Sequence, residues 1–211
     1  RQQFSTKCHF FGGKMTDLFT MRDAYTKLLS GENCGVNIHI PVTGEAFRQC
    51  KELNRTIAKE HRTPIVFGST DFVFPHVTLK MGLVRGGKLP DVLQKLEAFT
   101  QDLSSMQIAL CPVILKEPVN KYYFCEADDP RLIALSAALD ELLAEEMIPG
   151  KFRLCKENLH HVTLGYKQDP ATPAASVLGE KVVPFTANRI QVSVKGDYGV
   201  CLGVLKSYEL K

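Results

Sequence analysis

The chain of 211 residues carries 26 basic and 23 acidic side chains, for a net charge of +3, and is 45% hydrophobic and 23% charged. These proportions are ordinary for a globular protein and exclude a disordered or low-complexity chain. The charges are interspersed, which excludes the positive stripe that grips duplex phosphates, so a nucleic-acid ligand is expected to be short or single-stranded. No apolar run is long enough to cross a bilayer, and no membrane partner is expected.

The seven cysteines are an odd number, are widely spaced and form no C-x-x-C pair. This pattern indicates neither a disulfide framework nor a zinc or redox motif, and it favours a reducing compartment, either cytoplasmic or nuclear. Cys8 and His9 resemble half of a metal site, but no second half follows at a usable spacing. The sequence therefore predicts no metal and no other cofactor.

The first 33 residues form a predicted lead-in with one short helix, from about Thr16 to Leu29. A half-buried strand follows in CGVNIHIPV (34–42), because apolar and polar residues alternate there. Thr43 then precedes an amphipathic pattern and is predicted to cap the helix that begins after it. The apolar positions of that helix recur every three or four residues, at Phe47, Cys50, Leu53 and Ile57.

The rest of the first half is predicted as strand, helix and strand. The first of these strands covers about 72–84, and the helix has Pro90 in its first turn. The second strand runs from about Gln107 to Leu115. One face of the helix carries Leu93, Leu96, Phe99 and Leu103.

The second half begins in the same way as the first, with a strand at 121–127. Asp129 and Pro130 then form a capping residue followed by a first-turn proline, which indicates the start of a helix. Gly150 is predicted to stop this helix. Three further strands are expected, in NLHHVTLGYK (158–167), at about 182–195 and at about 198–209, the last two joined by a turn at KGDYG.

The tetrapeptide HVTL occurs twice in the chain, at 76–79 and at 161–164. His161 lies 85 positions after His76 (161 − 76), and the same shift carries the first predicted strand onto the strand at 121–127. The order strand, helix, motif strand therefore occurs twice at one interval. We interpret this recurrence as the duplication of a structural unit.

The spacing of each H-x-T motif places its two polar side chains together. Residues two apart in a strand point to the same side, so His76 and Thr78 share one face, as do His161 and Thr163. The aliphatic residues between and after them face the core. Two such strands around a pseudo-two-fold axis would frame a groove with two imidazoles and two hydroxyls.

This set of side chains is suited to phosphodiester chemistry. Histidine has an unperturbed pKa of about 6.5, so a pair can act near neutral pH as one neutral base and one charged acid. Threonine hydroxyls can donate to phosphoryl oxygens as charge develops on them. No carboxylate cluster accompanies either motif, so no metal is expected. A single H-x-T is also typical of a solvated strand surface, but two copies at matching positions favour catalysis.

Paired H-x-T motifs on strands of a duplicated unit resemble the two-histidine (2H) phosphoesterase superfamily, in its LigT-like group, over about residues 34–209. The segment NIHIPVTGEAF looks most like the branch that contains 2′,5′-phosphodiesterases and an A-kinase anchoring protein. The resemblance implies an α+β fold of two pseudo-symmetric lobes of antiparallel sheet, with outer helices around a central groove. It implies that His76 and His161 are the acid and base, in an order left open, and that Thr78 and Thr163 hold the phosphate.

Further residues are candidates for substrate binding. Lys80 shares the strand face of the first motif and could reach a phosphate, or it could be a solvated edge lysine. Asn37 and His39 lie opposite the apolar residues of their strand and are expected to line the groove, His39 without a catalytic role. Tyr122 and Phe124, at the matching face of the second half, could stack a nucleobase or could simply pack.

Together these observations predict one bilobal domain over residues 34–211, with lobes of about 34–118 and 119–211. The expected function is that of a metal-independent phosphodiesterase, acting on 2′,3′-cyclic phosphates of nucleotides or RNA or on 2′-5′ linkages. The alternatives are a non-catalytic module that binds nucleotides or RNA ends in the same groove, and a structural protein whose motifs face solvent. The expected partners are short RNA, a 2′-5′ oligonucleotide or a cyclic nucleotide, bound by a monomer. His160 is assigned to the core.

Overall fold

The computed structural model describes residues 26–27, 30–61, 63, 65–69, 73–116, 122–149, 160–166, 176–196 and 199–211. Most of the helix predicted at 16–29, the Cys8-His9 pair and the centre of the KGDYG turn lie outside these residues. The described helices are α1 (Gly44–Glu60), α2 (Leu89–Thr100) and α3 (Pro130–Leu142). The strands are β1 (Cys34–Pro41), β2 (His76–Val84), β3 (Met106–Ile108), β4 (Ile114–Lys116), β5 (Tyr122–Ala127), β6 (Met147–Pro149), β7 (His160–Tyr166), β8 (Phe185–Ala187), β9 (Arg189–Lys195) and β10 (Cys201–Glu209).

The strands of the described residues form three antiparallel sheets, which confirms the predicted α+β class. One sheet has the order β10-β9-β1-β2-β6, a second has the order β4-β5-β7, and β3 pairs with β8. The two H-x-T strands, β2 and β7, therefore belong to different sheets, and they contact each other. Strands β6, β9 and β10 come from the second half of the chain but complete the sheet of β1 and β2. The division into sheets thus does not follow the division of the sequence at about 118.

The duplication predicted from the sequence extends to the register of the strand pairs. Strand β1 pairs with β2, and β5 pairs with β7, both antiparallel. His39 lies opposite Thr78, and Phe124 lies opposite Thr163, which is the same pair shifted by 85 positions in each strand. The register shifts by one residue directly after these pairs, so both motif strands contain a bulge at the same place. The two halves therefore share a backbone arrangement, although the side chains around it differ.

The bulged residues receive a hydrogen bond from a helix of the opposite half. Leu79 and Leu164 are the residues skipped in the two registers. Asn54 of α1 donates to the Leu164 carbonyl at 2.6 Å, and Ser136 of α3 donates to the Leu79 carbonyl at 2.8 Å. Since a buried carbonyl outside a strand ladder needs a partner, each helix satisfies the irregularity of the other half's motif strand. A single core of buried side chains joins the two halves.

Several predicted boundaries are wrong. The strand expected at 107–115 is divided into β3 and β4, because Pro112 lies between them and cannot donate to a ladder. Helix α3 ends at Leu142 rather than near Gly150, because β6 follows and pairs with the end of β2. Thr43 occupies the N-cap position of α1, but its hydroxyl donates to the Thr186 carbonyl at 3.3 Å instead of capping the helix.

The strand expected at 182–195 is also divided in two, into β8 and β9. By contrast Asp129 caps α3 as predicted, accepting a bond from the Arg131 backbone N–H at 2.9 Å. In the part of the chain that the structure describes, none of the helices has the length and apolar character needed to cross a bilayer.

Candidate functional site

The first motif begins at the first residue of β2, where the His76 ring is held at both nitrogens. Its Nδ1 lies 3.0 Å from the Phe74 carbonyl, and its Nε2 lies 3.1 Å from the amide nitrogen of Asn37. Burial of the ring lowers the pKa of His76 below 6.5, because the charged form loses its hydration, although the carbonyls of Phe74 and Gly199 act in the opposite direction. His76 is thus held in a fixed orientation and favours the neutral form.

Asn37, in the middle of β1, connects this histidine to the rest of the motif. Its side chain is 0% exposed. Its Nδ2 lies 3.4 Å from the Thr78 hydroxyl and 3.0 Å from the Gly199 carbonyl, in addition to the contact with His76. Gly199 has a φ of +78°, a conformation that glycine tolerates, and its carbonyl lies at hydrogen-bonding distance from the amide. One amide group therefore contacts both polar side chains of the first motif.

His39 and Cys201 complete the surroundings of His76. The rings of His39 and His76 have centroids 4.9 Å apart, and His39 Nδ1 lies 3.2 Å from the Asn37 carbonyl. Cys201 Sγ lies 3.7 Å from His39 Nδ1 and 3.9 Å from His76 Nδ1. Both side chains are buried, His39 at 0% exposure. His39 therefore packs against the first motif and is covered by protein atoms, whereas the sequence predicted that it lines an open groove.

The second motif has an aromatic environment. The His161 ring, which is half-buried, lies 5.5 Å from the ring of Tyr122 and 5.5 Å from that of Phe124, measured between centroids. Phe124 is itself buried, at 5% exposure, and meets His161 at an edge. Tyr122 is half-buried and also contacts Tyr166. Of the two aromatic candidates, only Tyr122 has a partly open face.

The two motif threonines occupy equivalent, half-buried positions. Thr78 and Thr163 each lie two residues after the motif histidine on the same strand face, as the alternation of buried and half-buried residues in β2 and β7 shows. Thr78 accepts a contact from Asn37, as described above, whereas Tyr122 occupies the place of Asn37 in the second half. The hydroxyls are thus matched in backbone position and differ in their neighbours.

Lys80 lies on the same face as His76 and Thr78, and its ammonium group pairs with the Asp140 carboxylate of α3. The lysine side chain is only 10% exposed, whereas Asp140 is 59% exposed. Because one partner is open to solvent, the pair itself contributes little to stability. Its main effect is to hold the Lys80 charge near the first motif.

His160 faces the core, as the sequence predicted. It is buried at 5% exposure, and its Nε2 lies 2.7 Å from the Ser136 hydroxyl. Burial lowers the pKa of His160, and the neighbouring His161 acts in the same direction. The residue contributes to packing beneath the second motif.

Metal binding is not indicated by the side chains that the structure describes. Within those ranges, no three His, Cys, Asp or Glu side chains are arranged to hold an ion. Although His39, His76 and Cys201 lie close together, the Nδ1 atoms of both rings are at hydrogen-bonding distance from backbone carbonyls.

The fold and the site together define a class of protein: a duplicated α+β unit in which paired H-x-T strands from two sheets contact each other. The chain belongs to the 2′-5′ RNA ligase superfamily, whose family model matches residues 48–198. This is a superfamily of 2H phosphoesterases, so the recognition made from the motifs is confirmed, and phosphodiester chemistry is the general activity that it supports. No curated protein sequence matches the chain significantly.

The chain aligns with several solved structures of the same fold over nearly the whole length of those structures. TT0787 of Thermus thermophilus aligns with a TM-score of 0.64 and 20% identity, over 83% of this chain and 97% of that one. E. coli LigT complexed with 3′-AMP aligns with a TM-score of 0.61 and 16% identity, over 85% and 99%. Usb1 of Kluyveromyces marxianus aligns with a TM-score of 0.50 and 16% identity, over 86% and 100%. These similarities confirm the predicted LigT-like fold.

Sequence reasoning did not identify Cys201 and Gly199 as part of the site. Cys201 lies 162 positions from His39 and 125 from His76, so no local pattern connects them. Asn37 was placed on the correct strand face by its alternation with apolar residues, but the alternation does not reveal its contact with His76. Only the register of β1 against β2 brings these two side chains together.

Proposed function

We propose that this protein is a metal-independent phosphodiesterase that acts on 2′,3′-cyclic phosphates or 2′-5′ linkages of nucleotides and short RNA, with His76 and His161 as the acid-base pair. One observation carries the proposal. The two H-x-T motifs occupy the same positions in two strand pairs that share register and bulge, on strands that contact each other. The duplicated backbone presents an imidazole and a hydroxyl twice. Such a pair of motifs is suited to a phosphodiester, because its phosphorus carries two ester oxygens.

In the proposed reaction, one histidine accepts a proton from the attacking oxygen, and the new O–P bond forms. The bond from phosphorus to the leaving ribose oxygen breaks, and the other histidine gives that oxygen its proton. The attacking group is water for a cyclic phosphate. For a 2′-5′ linkage it is either water or the neighbouring ribose hydroxyl. Thr78 and Thr163 donate to the non-bridging oxygens as negative charge develops on them.

Lys80 and Tyr122 are the substrate-binding residues that the geometry supports best. Lys80 is held next to the first motif by Asp140, where its charge can attract a second phosphate of a short oligonucleotide. Tyr122 has a partly open ring beside His161, where it can stack a base. His39 and Phe124 are covered, so we assign them to the support of the two motif histidines.

The test is a substrate panel assayed with and without EDTA. It contains 2′,3′-cyclic mononucleotides, ADP-ribose 1″,2″-cyclic phosphate, 2′-5′ oligoadenylate and a 3′-5′ oligonucleotide, with products resolved as 2′- or 3′-phosphates. We expect turnover of at least one cyclic or 2′-5′ substrate, undiminished by EDTA. The variants His76→Gln and His161→Gln should each lose about 10²- to 10⁴-fold in kcat/KM. Lys59→Ala, at an exposed position of α1, is the control and should retain full activity.

Three results would contradict the proposal. Full activity in His76→Gln would remove the first motif from the mechanism, and loss of activity with EDTA would require a metal. Binding of a 2′-phosphorylated nucleotide without any product after prolonged incubation would identify a binding module instead of an enzyme. Thermal unfolding of each variant separates lost chemistry from lost structure.

A further inference from the structure

The Asn37 amide nitrogen lies 3.1 Å from Nε2 of His76, and the sequence predicted only that Asn37 lines the groove. It is 0% exposed, lies on β1 and directs one amide nitrogen at His76 Nε2, the Thr78 hydroxyl and the Gly199 carbonyl. The position is specific to the first half, because the residue 85 positions later is Tyr122. The two halves thus share their backbone register but not this amide.

The hydrogen-bond network determines which way the amide points. A backbone carbonyl can only accept, so the group of Asn37 that lies 3.0 Å from the Gly199 oxygen must be the NH₂ group. The same NH₂ group lies 3.1 Å from His76 Nε2. Since an amide nitrogen can only donate, this contact favours an Nε2 that accepts and carries no proton, whereas the Gly199 carbonyl alone acts in the opposite direction.

The other nitrogen of the ring is the one that carries the proton. His76 Nδ1 lies 3.0 Å from the Phe74 carbonyl, which can only accept, so Nδ1 carries the proton. Both contacts therefore assign one state to His76, a neutral ring with Nδ1–H and a lone pair on Nε2. A second proton on Nε2 would oppose the N–H of Asn37, and the burial that lowers the pKa of His76 acts in the same direction.

We propose that Asn37 is a positioning residue that presents His76 to the substrate as the neutral Nδ1–H tautomer and thereby makes His76 the general base of the pair. This assignment rests on the proposed function. On substrate binding, the attacking O–H takes the place of the Asn37 N–H at Nε2, and the amide keeps its bonds to Thr78 and Gly199. The proton passes to Nε2, the oxygen attacks phosphorus, and His161 supplies the proton for the leaving oxygen.

Two further titratable groups contact His76 among the described residues. His39 comes from β1 and Cys201 from β10, with the thiol 3.9 Å from Nδ1. Neither side chain belongs to the hydrogen-bond network around Nε2. The proposal therefore concerns that nitrogen alone, and its test must observe the His76 ring directly.

The first measurement is long-range ¹H–¹⁵N NMR of the wild-type protein without substrate, with the His76 signals identified from the His76→Gln variant. We expect the neutral Nδ1–H tautomer near pH 7. The Nε2–H tautomer or a charged ring at this pH would overturn the proposal, whether or not the protein is active. This measurement needs no Asn37 variant, and it separates failure of the inference from failure of the proposed function, which would appear as absent turnover.

The second measurement uses Asn37→Asp, which replaces the donor beside Nε2 by a carboxylate of the same shape. A carboxylate at this distance favours a proton on Nε2, so the titration midpoint of His76 should rise by about one unit or more. The acid limb of the pH profile of kcat/KM should move to higher pH by the same amount. On that limb kcat/KM should be about tenfold lower than in the wild-type protein, and at higher pH it should return to the wild-type value.

The matched control is Asn33→Asp, which makes the same chemical change just before β1 at an exposed residue. The Asn33 side-chain oxygen accepts from the Gly86 backbone N–H at 2.8 Å, a bond that aspartate retains. This variant should leave the titration of His76 and the pH profile unchanged. An Asn37→Asp profile that is lowered equally at all pH values would indicate a merely structural role and would contradict the proposal.

Discussion

His76 and His161 occupy equivalent backbone positions, yet their neighbours differ in chemistry. His76 is surrounded by Asn37, His39 and Cys201, which offer hydrogen-bonding groups, whereas His161 lies against the rings of Tyr122 and Phe124. Fixed polar neighbours select a tautomer, because each ring nitrogen must match a donor or an acceptor. Aromatic rings attract a cation and also pack against a neutral imidazole, so the two aromatic neighbours of His161 do not select one of its states. The duplication therefore gives the two histidines equivalent positions, and under the proposed function their different neighbours give them different roles.

The hydroxyls of the motif threonines should act in the transition state rather than in binding. We expect Thr78→Val and Thr163→Val to lower kcat by about 10²-fold each with a smaller change in KM, because valine keeps the shape and removes the donor. Serine at either position should restore most of the activity. Steady-state kinetics on the best substrate of the panel will check this. Thr186→Val, at an exposed residue of β8, is the control.

A rise in KM with unchanged kcat in the two valine variants would show that the hydroxyls serve ground-state binding only. Failure of serine to restore activity would show that the methyl group, and hence packing, is the important part of threonine at these positions.

At the scale of elements, α1 and α3 each support the motif strand of the other half. Asn54 of α1 donates to Leu164 and also to the Ile65 carbonyl at 2.9 Å, and its oxygen accepts from the Phe67 backbone N–H at 2.7 Å. Ser136 of α3 connects the Leu79 carbonyl to His160. Because these bonds hold the bulges that follow the motif threonines, they set the position of the motif side chains.

Removing the Asn54 amide should destabilise the protein strongly. Asn54→Ala leaves three buried backbone groups without this partner, and we expect a loss of about 3 kcal/mol in the free energy of unfolding. Arg55→Ala, at the adjacent exposed position of the same helix, should change it by less than about 0.5 kcal/mol. Urea denaturation measures both. Equal effects of the two variants would show that the bulge carbonyl does not depend on the helix.

At the scale of the whole molecule, two histidines with a lowered pKa make stability depend on pH. Burial lowers the pKa of both His76 and His160 in the folded chain, whereas in the unfolded chain they titrate near 6.5. The unfolded state therefore binds more protons below neutral pH, so the free energy of unfolding rises with pH. The contribution of these two histidines to stability should be fully present above about pH 7. It should be lost as the pH falls from about 6.5 towards their lowered pKa values.

Urea midpoints at pH 7.5 and pH 5.5 will measure this dependence, with a lower midpoint expected at pH 5.5. His160→Gln removes one of the two groups and should reduce the difference between the two midpoints. Lys59→Ala should leave that difference unchanged. A midpoint that stays constant or rises on acidification would contradict the assignment.

Much of the fold was predictable because local patterns determine it. Alternation identified β1, the interval of 85 residues matched β5 to it, the Asp129-Pro130 pair identified the start of α3, and the repeated HVTL identified β2 and β7. Short elements were not predictable. Strand β6 has three residues and exists because it pairs with the end of β2, which is a contact between distant parts of the chain. For the same reason the predicted lobe boundary does not coincide with the sheets.

The sequence by itself indicated the class of protein, because its paired H-x-T motifs, in an order of elements repeated at an interval of 85 residues, resemble those of the 2H phosphoesterases. It also determined which face of each motif strand is polar, since side chains alternate in any strand. Only the tertiary structure decided what surrounds each histidine. Asn37, Gly199 and Cys201 meet His76 through strand pairing and a distant turn, and such contacts depend on register and packing, which no local pattern encodes.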